Sequence, residues 1–361
     1  MIQELINRYK RMRTEHYLRQ TYPCSYAFVG MGQHSLTCLY PVLHYLGVPL
    51  KYICVTSERK ARLIERKFPH VKATTSLGTI LNDDEVKGVF VAASPSAHFP
   101  IASQVLRSGK SLFIEKPLCQ TLEELDTLTD MQRLHGSPVA MVGLQKRYAP
   151  AVLLLQRRLR KAHFVSYDLH YLTGAFPEGN ALLDLYIHPL DLVCFLFGKP
   201  KVVAVQQVGN DSYVLMLRHH HIVGTLELST AYSWTTAEES LKVCTSEGIY
   251  SLSQMEELSF EHKPSATAFG IPMEKLRAHH ETKEVLCQRN NFTPILLNNQ
   301  IYSQGYFNEM EAFVNAVEGS LHTIVTDIKT IRETYQLMNE IIGVRPPNRR
   351  PQGDSNARGR L

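Results

Sequence analysis

Residues 25–35 read Ser25-Tyr26-Ala27-Phe28-Val29-Gly30-Met31-Gly32-Gln33-His34-Ser35. A short apolar run ends in glycine, and a G-x-G-x-x-S pattern opens the segment behind it. The run reads as a buried strand and residues 36–46 as a helix. Set between a strand and a helix, the pattern predicts a dinucleotide-binding turn. Gly30 permits the tight turn, and Gly32 lets the backbone approach a pyrophosphate. Gln33 and His34 lie beside it, and Ser35 stands where glycine or alanine is usual, small enough for close helix–strand packing. The helix behind them would point its first amides at the phosphates.

The same alternation continues outward from this turn. KYICVT (51–56) is a second apolar run, and a charged helix follows at 58–68. GVFVAAS (88–94), SLFIEKP (111–117) and VAMVGL (139–144) are further runs, with a helix at about 98–108. Apolar runs separated by helices imply βαβ units and a buried parallel sheet. The end of the second strand bears on the choice of dinucleotide. It reads Val55-Thr56-Ser57-Glu58-Arg59-Lys60, with no carboxylate at the strand tip. Thr56, Ser57, Arg59 and Lys60 form a fair cradle for a 2′-phosphate, so NADP(H) is favoured. NAD(H) is the alternative, with Glu58 on the ribose and the two cations solvated.

After about residue 150 the pattern changes. HFVSYDLHY, KVVAVQQVG, SYVLMLRHH, IVGTLELSTAY and SLKVCTSEGIYSL read as strands joined by short turns, several alternating as antiparallel strands with one buried face do. A helical stretch at 182–197 interrupts them, and 305–318 and 326–342 read as closing helices. The fold class is therefore α/β, a doubly wound Rossmann sheet followed by an α+β domain. The expected division is a helical extension at 1–22, the dinucleotide domain at 23–145, a substrate and oligomerisation domain at 146–342, and a disordered basic tail at 343–361.

Composition limits the function classes. The chain has 361 residues, 44% hydrophobic and 20% charged, enough apolar content for a large core. No stretch approaches the roughly 18 apolar residues that span a bilayer. The first twenty residues show neither an apolar run nor a small-residue cleavage site. The seven cysteines are odd in number and none is spaced C-x-x-C, which argues against a disulfide framework or a zinc ribbon. A reducing cytoplasm is the expected home. Residues 1–20 hold five Lys/Arg against two Asp/Glu, and 343–361 hold five Arg against one Asp. The net charge of +5 thus belongs to the ends, and the body offers no basic groove for nucleic acid.

Three further stretches carry a resemblance. They are ASPSAHFPIASQVLRSGKSLFIEKPL (93–118), VGLQKRYAP (142–150) and LLDLYIHPLDL (182–192). In this order over a dinucleotide fold, the chain resembles the glucose–fructose oxidoreductase / inositol dehydrogenase / MocA-like oxidoreductases. The resemblance covers roughly 25–198 and, more weakly, 305–342. It implies an open, mostly antiparallel sheet in the second domain and hydride transfer with a nicotinamide cofactor, usually at a hydroxyl of a sugar or cyclitol. It also implies a homodimer or homotetramer formed through the sheet.

The chemistry of the residues agrees. Oxidising a secondary alcohol needs a base for the hydroxyl proton and a cation for the developing alkoxide. Lys116, in Glu115-Lys116-Pro117, follows a strand end, where such sites form. In the family the Lys-Pro bond is often cis. His188 titrates near working pH. Asp184, four residues earlier, would share a helix face with it and reach substrate or orient the ring. Lys116, Asp184 and His188 match the family's catalytic positions. Asp191 is expected to support the helix. Tyr186 stands where the family often has glycine and is expected to narrow the pocket or touch substrate.

Ser94, Pro95, His98, Glu115 and Gln145 are candidates for cofactor contact, with helix capping the plainer role for His98. Arg147 and Tyr148 are candidates for substrate contact, or for a structural hinge. His219-His220-His221 reads as a hairpin turn rather than a metal site, His279-His280 likewise carries no metal reading, and Trp234 reads as packing or interface. Two rival functions remain. One is a non-catalytic dinucleotide-binding regulator or inactive paralogue. The other is a tether to nucleic acid or an anionic surface through the basic ends.

Overall fold

The computed structural model describes residues 2–19, 21–263, 267–269, 271–272, 283–290, 296–320 and 324–344. Most of the expected tail and the His279-His280 pair lie outside them. The N-terminal part contains helix α1 (Ile2–Arg19) and then strands β1 (Ser25–Val29), β2 (Leu50–Cys54), β3 (Lys72–Thr74), β4 (Val86–Val91), β5 (Ser111–Glu115) and β6 (Ala140–Gly143). Between the strands run α2 (Tyr40–Leu46), α3 (Glu58–Lys67), α4 (Leu77–Leu81), α5 (Pro95–Arg107) and α6 (Leu122–Leu134). The six strands form one parallel sheet in the order β3-β2-β1-β4-β5-β6. Crossing back over β1 puts a crevice outside the carboxyl ends of β1 and β4, the place where such sheets bind ligands.

The second part contains α7 (Pro150–Leu159), β7 (Phe164–Leu172), α8 (Ala181–Asp184), α9 (Ile187–Phe197), β8 (Lys201–Val208), β9 (Ser212–Arg218), β10 (Val223–Ser229), β11 (Glu238–Thr245), β12 (Gly248–Ser253) and β13 (Glu257–His262). With the strand Lys283–Gln288 these form an eight-stranded sheet, antiparallel except where β7 meets β10. Helices α10 (Gln300–Ser303), α11 (Tyr306–Val317) and α12 (Arg332–Val344) close the described chain.

Several sequence readings change in detail. The stretch 240–252 is two strands, because the backbone folds back at Ser246–Glu247. Gly248 tolerates no side chain there, since a Cβ would lie 2.1 Å from the Glu261 carbonyl oxygen. The stretch 182–197 is two helices broken at Leu185–Tyr186, so Asp184 and His188 do not share one helix face. Strands β3, β13 and Lys283–Gln288 were not apparent in the sequence.

Residues expected in the second domain also return to the first. In α11, Phe313 packs edge-on against Phe90 (5.0 Å) and Phe113 (5.8 Å). The Tyr26 hydroxyl on β1 donates to Glu318 at 2.9 Å. The aromatic face of the parallel sheet is thus covered by a helix nearly 200 residues further along the chain.

Candidate active site

The candidates of the first part sit at the exits of its parallel strands, and Asp184 and His188 sit on α8 and α9. At β1, Gly30 adopts φ +88°, and a Cβ there would lie 2.3 Å from the Ala92 carbonyl oxygen. Only glycine closes this turn against β4. A Cβ at Gly32 would meet nothing within 4 Å, so open space lies beside the turn's amides, as an approaching pyrophosphate requires. Ser35 is buried, and its Oγ donates to the Gly30 carbonyl, tying helix to turn. Ser35–Leu39 is wound as a π-helix before α2 begins at Tyr40. Pro41 has no N–H for an α-helical bond at that point, which accounts for the wider turn.

At the end of β2, Thr56, Ser57, Arg59 and Lys60 are all exposed. Ser57 caps α3, accepting the Lys60 amide at 3.4 Å. Glu58 accepts the Thr75 hydroxyl at 2.8 Å, so its carboxylate is engaged on the β3 side. At the end of β4, Ser94 occupies the N-cap of α5 without a side-chain cap bond, and Pro95 starts the helix. His98 is not a cap. It is 1% exposed, with Nδ1 2.7 Å from the Pro117 carbonyl and Nε2 3.0 Å from the Ala93 carbonyl. Both nitrogens are taken by protein, so direct cofactor contact by His98 is not what this geometry provides.

At the end of β5, Glu115 is buried and its carboxylate lies 3.3 Å from His34 Nε2. Gly143 makes room for it, since a Cβ there would be 2.9 Å from that carboxyl group. Hydrogen bonds to Cys38 and Glu115 push the His34 pKa up to about 10, and a cationic His34 therefore stands beside the glycine turn. Lys116 donates through Nζ to the Asp184 carbonyl oxygen at 2.6 Å and reaches Asp184 Oδ1 at 3.3 Å. The Lys116–Pro117 bond is cis.

His188 opens the second turn of this site. Its ring is half-buried, but Nδ1 is sealed from solvent and has no hydrogen-bond partner among the described residues. Burial, then the cations Lys146, Lys116 and His34, hold its pKa well below the ordinary imidazole range. His188 is neutral at pH 7. Lys116 and Asp184 are thus paired directly, and His188 lies near enough to feel the Lys116 charge, although Asp184 and His188 do not share a helix face.

Other candidates move out of the site. Arg147 is 3% exposed and donates in bidentate fashion to Asp191 (2.7 and 2.5 Å), and also to Val325 O and Thr330. Asp191 further accepts the Thr334 hydroxyl, so it supports α9 and α12. The Tyr148 hydroxyl accepts the Val325 amide. Arg147 and Tyr148 are thus structural ties, because every polar atom they would offer substrate is spent on the chain. Tyr186 is a core residue, fully buried against Tyr171 and Tyr213 with its hydroxyl donating to the Asp211 carbonyl. It neither lines nor narrows a pocket. Gln145 is buried and donates to the Tyr306 hydroxyl at 3.2 Å.

His219 to His221 span the turn between β9 and β10. His219 is buried between Gly198 O and the Tyr167 hydroxyl. Trp234 is 70% exposed.

The sequence reading passed over Lys146. It is buried beside Tyr171, 4.8 Å over that ring, and its Nζ pairs with Glu239 on β11. It is also the strongest charge acting on His188. Its position just past a strand exit was the available signal.

Comparison with known proteins finds likenesses to oxidoreductases. Residues 24–144 match the family model described as oxidoreductase family, NAD-binding Rossmann fold. Over those residues the chain is similar to the dinucleotide-binding domain of the Gfo/Idh/MocA oxidoreductases. Curated relatives are distant. The Salmonella typhimurium protein YceM, named an oxidoreductase, is 26% identical over 63% of this chain and 76% of its own. An inositol 2-dehydrogenase of Salmonella typhimurium is 24% identical over 49% of this chain and 55% of its own. The chain thus spans about half the length of that inositol dehydrogenase. Among solved structures, a dehydrogenase from Chromobacterium violaceum superposes with TM-score 0.74 at 21% identity, covering 90% of this chain and 95% of that one. A levoglucosan dehydrogenase complexed with NADH and levoglucosan gives TM-score 0.73 at 17% identity, covering 89% and 96%. These likenesses show that nearly the whole chain shares the fold of these dehydrogenases.

Proposed function

We propose that the chain is a nicotinamide-dependent oxidoreductase interconverting a secondary alcohol and a ketone on a sugar, a cyclitol or a derivative of either. The observation that carries this reading is the Lys116–Asp184 pair set beside a neutral His188 at the carboxyl edge of the parallel sheet. A nicotinamide dinucleotide, when bound, supplies or accepts the hydride. Lys116 holds the reacting oxygen through its ammonium protons, while Asp184 keeps Nζ aimed. His188, uncharged at pH 7, takes the hydroxyl proton at Nε2, the ring nitrogen that is not sealed, and returns it in the reverse direction. Lys146, paired with Glu239, adds positive charge near His188. Gly30, Gly32, Gln33 and Ser94 would hold the dinucleotide, and His34 would add positive charge near it. A turnover screen of sugars and cyclitols, with Lys116→Ala as control, tests the reading. Substrate-dependent nicotinamide turnover that survives in the variant would refute it.

NADP(H) is the preferred dinucleotide in this reading. Thr56, Ser57, Arg59 and Lys60 are free of the core at the β2 exit, and Glu58 is occupied by Thr75. In paired titrations, NADPH should bind more tightly than NADH. Replacing Arg59 and Lys60 with alanine should weaken NADPH about tenfold and leave NADH unchanged. Equal loss for both would mean that the two cations do not read the 2′-phosphate.

A second copy of the chain is the partner this reading assigns to the outer face of the eight-stranded sheet. This reading divides the chain at about residue 145 into a dinucleotide part and a substrate part, with 306–317 packing on the first.

A further inference from the structure

His98 is a buried titratable residue that the proposed mechanism does not use. It sits in the second turn of α5, and its ring lies between two strand exits. Nδ1 is 2.7 Å from the Pro117 carbonyl oxygen, directly after Lys116. Ala93 O, 3.0 Å from Nε2, closes the other side of the ring. Burial, the largest influence, lowers the His98 pKa, while Pro117 O, Glu115 and Ala93 O oppose it and Lys116 adds to it. Both ring nitrogens face carbonyl oxygens, and a neutral ring has one N–H to give; placed at Nδ1, the shorter contact, it leaves the Nε2 lone pair against Ala93 O without a hydrogen bond. Glu115 and Lys116 are the charged groups that bear on the ring, both from the exit of β5.

The consequence lies one residue away. Pro117 has no N–H to anchor its own position. Its carbonyl is held by His98, and the preceding residue must place Nζ within 2.6 Å of Asp184 O. We propose that His98 is the positioning residue of Lys116, donating Nδ1–H to Pro117 O and so fixing the chain that delivers the ammonium to Asp184. This rests on the reading of Lys116 as the group that holds the reacting oxygen. His98 itself touches neither substrate nor cofactor.

Two near-isosteric variants separate positioning from bulk packing. An asparagine amide nitrogen falls close to the Nδ1 position, and a glutamine amide nitrogen falls close to Nε2. With an active substrate in hand, His98→Asn should keep kcat within about threefold. His98→Gln and His98→Ala should each lose about tenfold or more, the size of one lost buried hydrogen bond. KM for the dinucleotide should move little in all three. Rescue by the shorter amide but not by the longer one is the signature, because glutamine fills the space better and a packing role would favour it.

A second readout needs no substrate. Acetic anhydride labelling of Lys116, followed by peptide mass spectrometry, should be slow in the wild type and in His98→Asn. It should be several-fold faster in His98→Gln and His98→Ala, where Nζ leaves Asp184. If the labelling splits this way but no sugar or cyclitol turns over, the positioning role stands and the proposed reaction falls. Equal rescue by glutamine, or wild-type labelling in His98→Ala, overturns the positioning role.

Discussion

The Lys116 ammonium meets one residue, Asp184, which offers it both a backbone and a side-chain oxygen. Replacing Lys116 with alanine removes the cation at the reacting oxygen. Replacing His188 with alanine removes the proton acceptor. Each change should cut kcat by about 10²–10⁴-fold, the usual worth of a positioned acid–base group. The dinucleotide Kd should stay within about threefold, since neither side chain lies in the glycine turn. Stopped-flow turnover with fluorescence titration checks both arms. The neutral state of His188 also has a stability consequence. Its folded pKa lies below the unfolded value of about 6.5. The unfolded chain therefore binds a proton that the folded chain refuses, and stability present above about pH 6.5 is lost as pH falls toward the depressed value. His188→Gln should flatten that part of a melting-temperature profile between pH 5 and 8. An unchanged slope would mean that another group sets it.

At the scale of elements, the turn after β6 is held from a distance. Glu309 in α11 is fully buried, and its Oε1 accepts the Leu144 amide at 2.8 Å, where the chain enters the Gln145–Tyr148 turn. Burial foremost, with Glu115 adding to it, raises the Glu309 pKa well above the carboxylate range. A raised folded pKa means stability that is full below the unfolded value and lost as pH rises through the folded one. Glu309→Gln keeps an acceptor for Leu144 without that loss, so its melting temperature should gain on the wild type as pH rises. A gap independent of pH would count against a protonated Glu309. In the same turn, Arg147→Ala strands the buried Asp191 carboxylate and should cost about 3–5 kcal/mol by denaturant unfolding.

These ties explain what the sequence could and could not disclose. The glycine turn was legible because Gly30, Gly32 and the strand before them are local and each has a steric reason. Lys116 and His188 were legible because they stand at element ends. The structural fate of Arg147 was not, since its partners Asp191, Val325 and Thr330 are 44 to 183 residues away. Tyr186 misled for the same reason, as only the folded sheet supplies the Asp211 carbonyl that receives its hydroxyl.

At the scale of the whole molecule, the eight-stranded sheet presents one face to the core and one outward. Tyr213, Leu215 and Leu217 of β9 point in, and the alternate residues Val214 and Met216 point out, 47% and 41% exposed. The register places Met216 opposite Ala204 on β8 and Thr225 on β10, so this exposed patch continues across strands. Ile249 and Val285 extend it on the far side, 36% and 50% exposed. Between the two apolar zones lies a polar stripe, where Asp168 accepts the Thr225 hydroxyl at 2.5 Å and meets His170 Nε2 at 2.9 Å. A face of this kind, apolar at both margins and self-satisfied at its centre, suits a second copy of itself better than water. Met216→Glu puts a charge in the apolar margin without touching the core side of β9. Light scattering should give the wild type at least twice the chain mass of 41.0 kDa and give the variant a mass shifted toward the single chain. The circular dichroism of the two should coincide. A wild type already at the single-chain mass would remove the second copy from this face and leave the Lys116, Asp184 and His188 site as it stands, because none of the three lies on it.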